Sequence, residues 1–193
     1  MNNINLAIFA SGAGSNAQNI VNYFADNKNI HVKALLCNNP NAYVLERLEG
    51  SVKDKILFTR EELQKSEKIE KFLTDNQIDL IILAGFLLKI PESIINKFQS
   101  RIINIHPALL PKYGGKGMYG MNVHNAVIES HEKVSGITIH LVDEVYDNGK
   151  SLFQAECSID ENESAESLAS KIHELEQKHF PRVIEEYIRK LLS

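Results

Sequence analysis

The spacing of apolar positions changes along the chain, and each change marks an element. "INLAIFA" (4–10) is a short apolar run with β-branched residues and predicts a buried strand. "SGAGSN" breaks it, and "AQNIVNYFADN" then places Ile20, Val21, Phe24 and Ala25 at helical spacing. "IHVKALLCNN" predicts a second strand, "PNAYVLERLEG" a short helix and "KILFT" a third strand. "REELQKSEKIEKFLTDNQ" sets Leu63, Ile69, Phe72 and Leu73 among charges, the pattern of one amphipathic helix with a solvated face. "IDLIILAG" is apolar almost throughout, as a central strand covered on both faces must be. "PESIINKF" opens with proline, which suits the first turn of a helix. "RIINIH" is the next strand.

Strand and helix alternate in this way four or five times. That predicts an α/β fold, a doubly wound, mostly parallel Rossmann-like sheet with right-handed crossovers. The second part of the chain differs. "SGITIHLVDE" alternates Ile137, Ile139 and Leu141 against Thr138, His140 and Val142, and "SLFQAECSI" follows after the turn-like "YDNGK". This pair predicts an antiparallel C-terminal hairpin. Terminal helices follow, "SAESLASKIHELEQKHF" and "PRVIEEYIRKLL", divided at Pro181. With no repeat, low-complexity segment or linker, residues 1–193 are expected to form a single domain.

Composition narrows the class. The chain has 193 residues, 44% hydrophobic and 24% charged, enough to bury a core without a disulfide or metal. A net charge of −4 with no basic block argues against a nucleic-acid partner. No run reaches the roughly 18 apolar residues of a membrane span. The N-terminus lacks the pattern of a signal peptide. Cys37 and Cys157 lie far apart in apolar segments and read as reduced core residues. The expected setting is cytoplasmic, with small-molecule substrates, no metal, and a monomer or homodimer.

Two places carry chemistry. "FASGAGSNA" follows the first strand and opens the first helix. Its glycines permit a tight turn and close approach, and a helix N-terminus attracts an anion. Asn16 could instead simply cap the helix. A dinucleotide site would place Asp or Glu after the second strand, where this chain has Asn38 and Asn39. There is also no GK[ST] of an ATP-type loop. A phosphate of some substrate is the favoured ligand.

The second place is "RIINIHPALLPKYGG" (101–115). Side chains on a strand alternate, so Ile103 and Ile105 face one way and Asn104 and His106 the other. Pro107 stops the strand, which leaves the polar pair at the carboxyl end, where open α/β sheets bind ligands. The pair could be structural, satisfying loop carbonyls. The acids of "DEVYDNG" follow a predicted strand at the same sheet end, and a carboxylate there would orient and charge-balance a histidine. Amide, imidazole and carboxylate make a working set for acyl transfer. No serine or cysteine is an obvious nucleophile beside them, which points to direct attack by a substrate.

"FASGAGSN", "LAGFLLKIP", "NIHPALLPKYGG", "HLVDEVYDNG" and "ELEQKHFP" occur in the order seen in the folate-dependent phosphoribosylglycinamide formyltransferases, and the chain resembles that family over essentially its whole length. The resemblance implies the formyltransferase fold and formyl transfer from 10-formyltetrahydrofolate, as co-substrate, to the amine of glycinamide ribonucleotide in purine synthesis. It implies catalytic roles for Asn104, His106 and Asp147. His106 would donate a proton, and Asp147 would raise the His106 pKa. The nucleotide would meet Ala13, Gly14, Ser15 and Asn16, with Glu176 on the ribose hydroxyls. The folate would meet Arg60, Leu87, Leu88, Lys89, Ile90 and Asn104.

Some positions depart from the family pattern. Ala13 stands where many members have Asn, and Leu88 where a basic residue is common. Asn148 replaces a common glycine, which left-handed backbone at Asn would accommodate. "YGGKGMYGMNVH" is longer than in shorter members and could act as a mobile lid. His140 reads as structural, and His124 as either substrate-facing or surface. The alternatives are another user of 10-formyltetrahydrofolate, a tRNA formyltransferase or a hydrolase, or a Rossmann module binding NAD. The first two are expected to carry an additional domain.

Overall fold

The structure is a computed structural model and describes residues 3–192. It is an α/β fold whose sheet runs in the order β3 (Asp54–Leu57), β2 (Ile30–Cys37), β1 (Ile4–Ala10), β4 (Leu80–Leu83), β5 (Ile102–His106), β6 (Val134–Leu141), β7 (Ser151–Ser158). The chain divides into two compact units, the first ending at Ile103 and the second beginning at Asn104.

In the first unit, β1 (Ile4–Ala10) pairs in parallel with β2 (Ile30–Cys37) and β4 (Leu80–Leu83), and β2 pairs in parallel with β3 (Asp54–Leu57). Leu6 through Ala10 have no exposed surface. That explains their unbroken apolar run, since a central parallel strand has no face to give to water. Helix α1 (Ser15–Phe24) buries Ala17, Ile20 and Phe24, one helical face. The short α2 (Val44–Arg47) follows β2.

Where one helix over 60–77 is predicted, two form: α3 (Arg60–Lys65) and α4 (Glu67–Asp75). Leu63 and Ile69 are both fully buried but lie six residues apart. On one straight helix that spacing is a rotation of about 240°, which would point them to different sides. Ser66 resolves the conflict by adopting φ 58, with its N–H on the carbonyls of Glu62 and Leu63 and its hydroxyl on Glu70 at 2.6 Å. The start of α3 is set by a capping box between Thr59 and Glu62. Helix α5 (Glu92–Lys97) follows Pro91.

Strand β5 (Ile102–His106) leads into the second unit. There α6 (Met121–Glu129) precedes β6 (Val134–Leu141), and β7 (Ser151–Ser158) returns antiparallel to it, as the alternation predicts. Cys37 is buried, but Cys157 on β7 is only half-buried; both are free thiols.

The predicted break at Pro181 does not occur: α7 runs from Ala165 to Leu192 with the proline inside. Proline in a helix interior costs about 3 kcal/mol. Against that, Phe180, Val183, Ile184 and Ile188 stand at helical spacing on one buried face around Pro181, which is itself buried. Each such side chain contributes roughly 1.5–3 kcal/mol on burial, so the continuous face wins.

Candidate active site

The glycine loop is built in the first unit. Gly14 caps α1 with φ 76 and no side chain, so it, not Asn16, is the N-cap. A Cβ at Gly14 would overlap Val44, and the Val44 N–H bonds the Gly12 carbonyl at 3.1 Å. Ser11, at the mouth of β1, ties the surroundings together. Its hydroxyl donates to Asn38 Oδ1 at 2.6 Å and accepts the N–H of Leu87 at 3.0 Å, while Asn39 Nδ2 donates to the Ser11 carbonyl. The two asparagines that stand where a dinucleotide binder has an acid are therefore spent on holding the loop. Ala13 is exposed, whereas Ser15 and Asn16 are half-buried in the first turn of α1. Leu87 is 50% exposed, an apolar side chain available to a flat ring, Leu88 is half-buried and Lys89 exposed. Ile90 is buried, and Arg60 is exposed at the first position of α3.

The second unit brings Asn104, His106 and Asp147 together. His106 is 3% exposed. Its Nε2 lies 2.7 Å from the Tyr113 carbonyl. A carbonyl only accepts, so Nε2 carries a proton, and Nδ1 is the nitrogen left to gain or lose one. Nδ1 lies 3.6 Å from Asp147 Oδ2. Asp147 is itself held by the Gly115 N–H, 2.9 Å from Oδ2. The "KYGG" turn thus anchors both partners, one through a carbonyl and one through an amide. Tyr113 (φ 56) and Asp147 (φ 53) both have left-handed backbone, which non-glycine residues adopt only where the surroundings over-determine it. The left-handed residue of the acid turn is thus Asp147 and not Asn148, whose side chain bonds Asp143.

The segment after His106 is fixed from β6. The Thr138 hydroxyl donates to the Ala108 carbonyl at 2.7 Å and accepts the Leu110 N–H at 3.0 Å. Glu132 receives both Lys112 Nζ and the Tyr113 hydroxyl, pinning the turn from outside. The glycine-rich stretch beyond is organised by turns, with Met118 N–H on Gly115 and Asn122 N–H on Tyr119.

Electrostatics bear on the resting state of His106. Burial pushes the His106 imidazole below its ordinary range; Asp147 pulls it upward but does not prevail. Asp147 is pushed up by its own burial, yet contact with His140 and His106 and the Gly115 N–H together hold its carboxyl below the usual range. His106 therefore rests neutral beside an ionised carboxylate, short of the cationic state that Asp147 is placed to stabilise. Glu176, half-buried on α7, adds a weaker upward pull on His106 and lies 3.6 Å from His173 Nδ1.

Two histidines join the site that sequence reasoning left aside. His140 is 2% exposed, with Nε2 3.1 Å from Asn104 Nδ2 and 3.6 Å from Asp147 Oδ1. An imidazole near the end of a strand, seven residues before Asp147 of the acid turn, was the available signal. His124 on α6 is buried, not on the surface, and its Nδ1 has no hydrogen-bond partner. Burial pushes its imidazole down as well, while Glu176 pulls it up.

Comparison with known proteins gives the family. A family described as formyl transferase matches residues 4–184. Phosphoribosylglycinamide formyltransferase of Bacillus subtilis is 34% identical over 187 residues, covering 94% of this chain and 93% of that one. The chloroplastic enzyme of that name from Arabidopsis thaliana is 36% identical over 93% of this chain, which spans 63% of the plant protein's length. The crystal structure of phosphoribosylglycinamide formyltransferase from Bacillus halodurans superposes with a TM-score of 0.84 at 32% identity, covering 98% of this chain and 95% of that one.

Proposed function

The chain belongs to the formyl transferase family, and on that premise we propose that it moves the formyl group of 10-formyltetrahydrofolate to the amine of glycinamide ribonucleotide, a step of purine synthesis. The observation that carries this reading is the buried His106, with one nitrogen locked on a carbonyl and the other facing Asp147 beside Asn104. That set includes no serine or cysteine, and the amine of the substrate attacks the formyl carbon itself.

Neutral His106 accepts the proton of the attacking amine at Nδ1. The imidazolium so formed faces the Asp147 carboxylate, and the low resting pKa of the ring makes it a ready donor in turn. Asn104 donates an N–H to the developing oxyanion, and the imidazolium adds its charge. As the adduct collapses, the carbon–nitrogen bond to the folate breaks, and the proton passes from Nδ1 to the leaving nitrogen. The proton the amine loses is the one the leaving nitrogen gains, so the protein ends unchanged.

The family pattern assigns the nucleotide phosphate to Ala13, Gly14, Ser15 and Asn16. Gly14 supports this, because it leaves the positive end of the α1 dipole without a side-chain cap. Glu176 takes the ribose hydroxyls. Arg60, Leu87, Leu88, Lys89, Ile90 and Asn104 take the folate, and exposed Leu87 supports an apolar ring contact. Both units act as one catalytic domain, residues 1–193. Among the described residues no helix is long and apolar enough to cross a membrane.

The test is to mix the protein with glycinamide ribonucleotide and 10-formyltetrahydrofolate and follow release of tetrahydrofolate. Release that requires the nucleotide supports the assignment. Release without the nucleotide would instead favour a hydrolase, and binding of NAD with no effect of the nucleotide would favour a redox module.

A further inference from the structure

We infer that His140 is a positioning residue: a neutral His140 holds the Asn104 amide so that its NH₂ end, not its carbonyl end, is presented in the catalytic centre. The inference rests on the formyl transfer proposed above and assigns the residue that orients its oxyanion donor.

Which atoms can donate decides the arrangement. His140 Nδ1 lies 2.8 Å from the Leu141 carbonyl, and a carbonyl only accepts, so Nδ1 carries the ring proton. A neutral ring then has its lone pair on Nε2. That lone pair faces Asn104 Nδ2 at 3.1 Å, a group that only donates. Both contacts are satisfied by this one arrangement. A second proton on Nε2 would set two donors against each other, and the ring would then serve Asp147 Oδ1, 3.6 Å away; the downward pull of His140 on the Asp147 carboxyl belongs to that form of the ring and not to the form that holds Asn104. With the amide turned over, its carbonyl oxygen would meet the Nε2 lone pair.

An asparagine amide has two N–H groups. His140 takes one and leaves the other for a substrate oxygen. The amide's last torsion has a broad, roughly two-fold preference, so nothing intrinsic to Asn104 selects one end. Turned over, it would offer a lone pair to an oxygen that is gaining negative charge, and the donor would become a repeller. His140 is itself held firmly. It is 2% exposed, its other nitrogen is anchored on its own strand, and β6 pairs with β7 on both sides of a register shift between Ile139 and His140.

The test is a double-mutant cycle with a tautomer measurement. His140→Leu removes the acceptor; His140→Gln keeps one. His140→Leu is expected to lower kcat about 10²-fold, close to the effect of Asn104→Ala, with KM for both substrates little changed. In the Asn104→Ala background the same substitution should add almost nothing, and His140→Gln should recover most of kcat. Nitrogen-15 NMR of labelled histidine should find His140 protonated on Nδ1 and bare on Nε2 near neutral pH. Effects that multiply, as for a residue that only supports folding, would overturn the inference, and so would a protonated Nε2. If His140→Leu fails to fold, His140→Gln and the spectrum decide it. A wild-type chain that transfers no formyl group would defeat the proposed function, while the spectrum would still judge the hold on Asn104.

Discussion

Replacing Asp147 with asparagine keeps the shape of the catalytic turn and removes one charge. The amide oxygen of the new side chain can still accept the Gly115 N–H that bonds Asp147 at 2.9 Å, so the turn stays in place. What is lost is a carboxylate 3.6 Å from His106 Nδ1, between side chains 4% and 11% exposed. An opposite charge at that range raises a histidine pKa by about 1–3 units. In the wild type this pull already fails to offset burial, so the sign is fixed: in Asp147→Asn the His106 pKa falls further. The base must be neutral to accept the amine's proton, so the acid limb of kcat/KM moves to lower pH. The same interaction stabilises the imidazolium during transfer. Each pKa unit is 1.36 kcal/mol, or tenfold, so the rate on the plateau should drop about 10- to 10³-fold. The two effects share one cause, and the logarithm of the rate loss should track the displacement of the limb. The assay is tetrahydrofolate release as a function of pH, with the His106 ring titrated by NMR. A rate loss with an unmoved His106 pKa, or a limb displaced upward, would refute the reasoning.

His106→Ala removes the proton carrier and should lower kcat about 10²–10⁴-fold while nucleotide binding, followed by calorimetry, stays near wild type. Gly14→Ala places a methyl group against Val44 at φ 76; a loss of about 1–3 kcal/mol of stability in denaturant unfolding and a raised KM for the nucleotide are expected. Acid should destabilise the fold through the two buried imidazoles. His106 and His124 have folded pKa values below the ordinary 6.5, so the unfolded chain binds more protons. Their contribution to stability is full above about that ordinary value and is lost as pH falls towards the folded values. Thermal midpoints measured through this window should fall, and a flat profile would contradict the burial of these rings.

Much of the fold is written in local pattern. The apolar run 78–85 holds the fully covered strand Leu80–Leu83, and the alternation over 135–144 marks the hairpin strand β6, although Ser135 to His140 are buried on both faces and not on alternate ones. The misreadings at Ser66 and Pro181 share a cause. Leu63 and Ile69 break helical register within a charged segment that still looks helical, whereas the face around Pro181 keeps register through a residue that normally ends helices. In each case packing against the rest of the chain decided, and local propensity did not. The site divides in the same way. Asn104 and His106 announce themselves as polar residues on one face of an apolar strand. The Tyr113 carbonyl that sets the His106 tautomer has no signature in side-chain identity, because the group is main chain and its direction depends on a left-handed turn. His140 sits in a strand like many structural histidines, and only its place opposite Asn104 shows what it does.

The direct transfer of the formyl group is tested most closely by a single-turnover experiment. Protein in excess is mixed with glycinamide ribonucleotide and 10-formyltetrahydrofolate carrying a labelled formyl carbon, then quenched and separated. All of the label should pass to the nucleotide amine in step with tetrahydrofolate release, with none bound to protein at any time. Label trapped on the protein, or label leaving as formate whether or not the nucleotide is present, would contradict it.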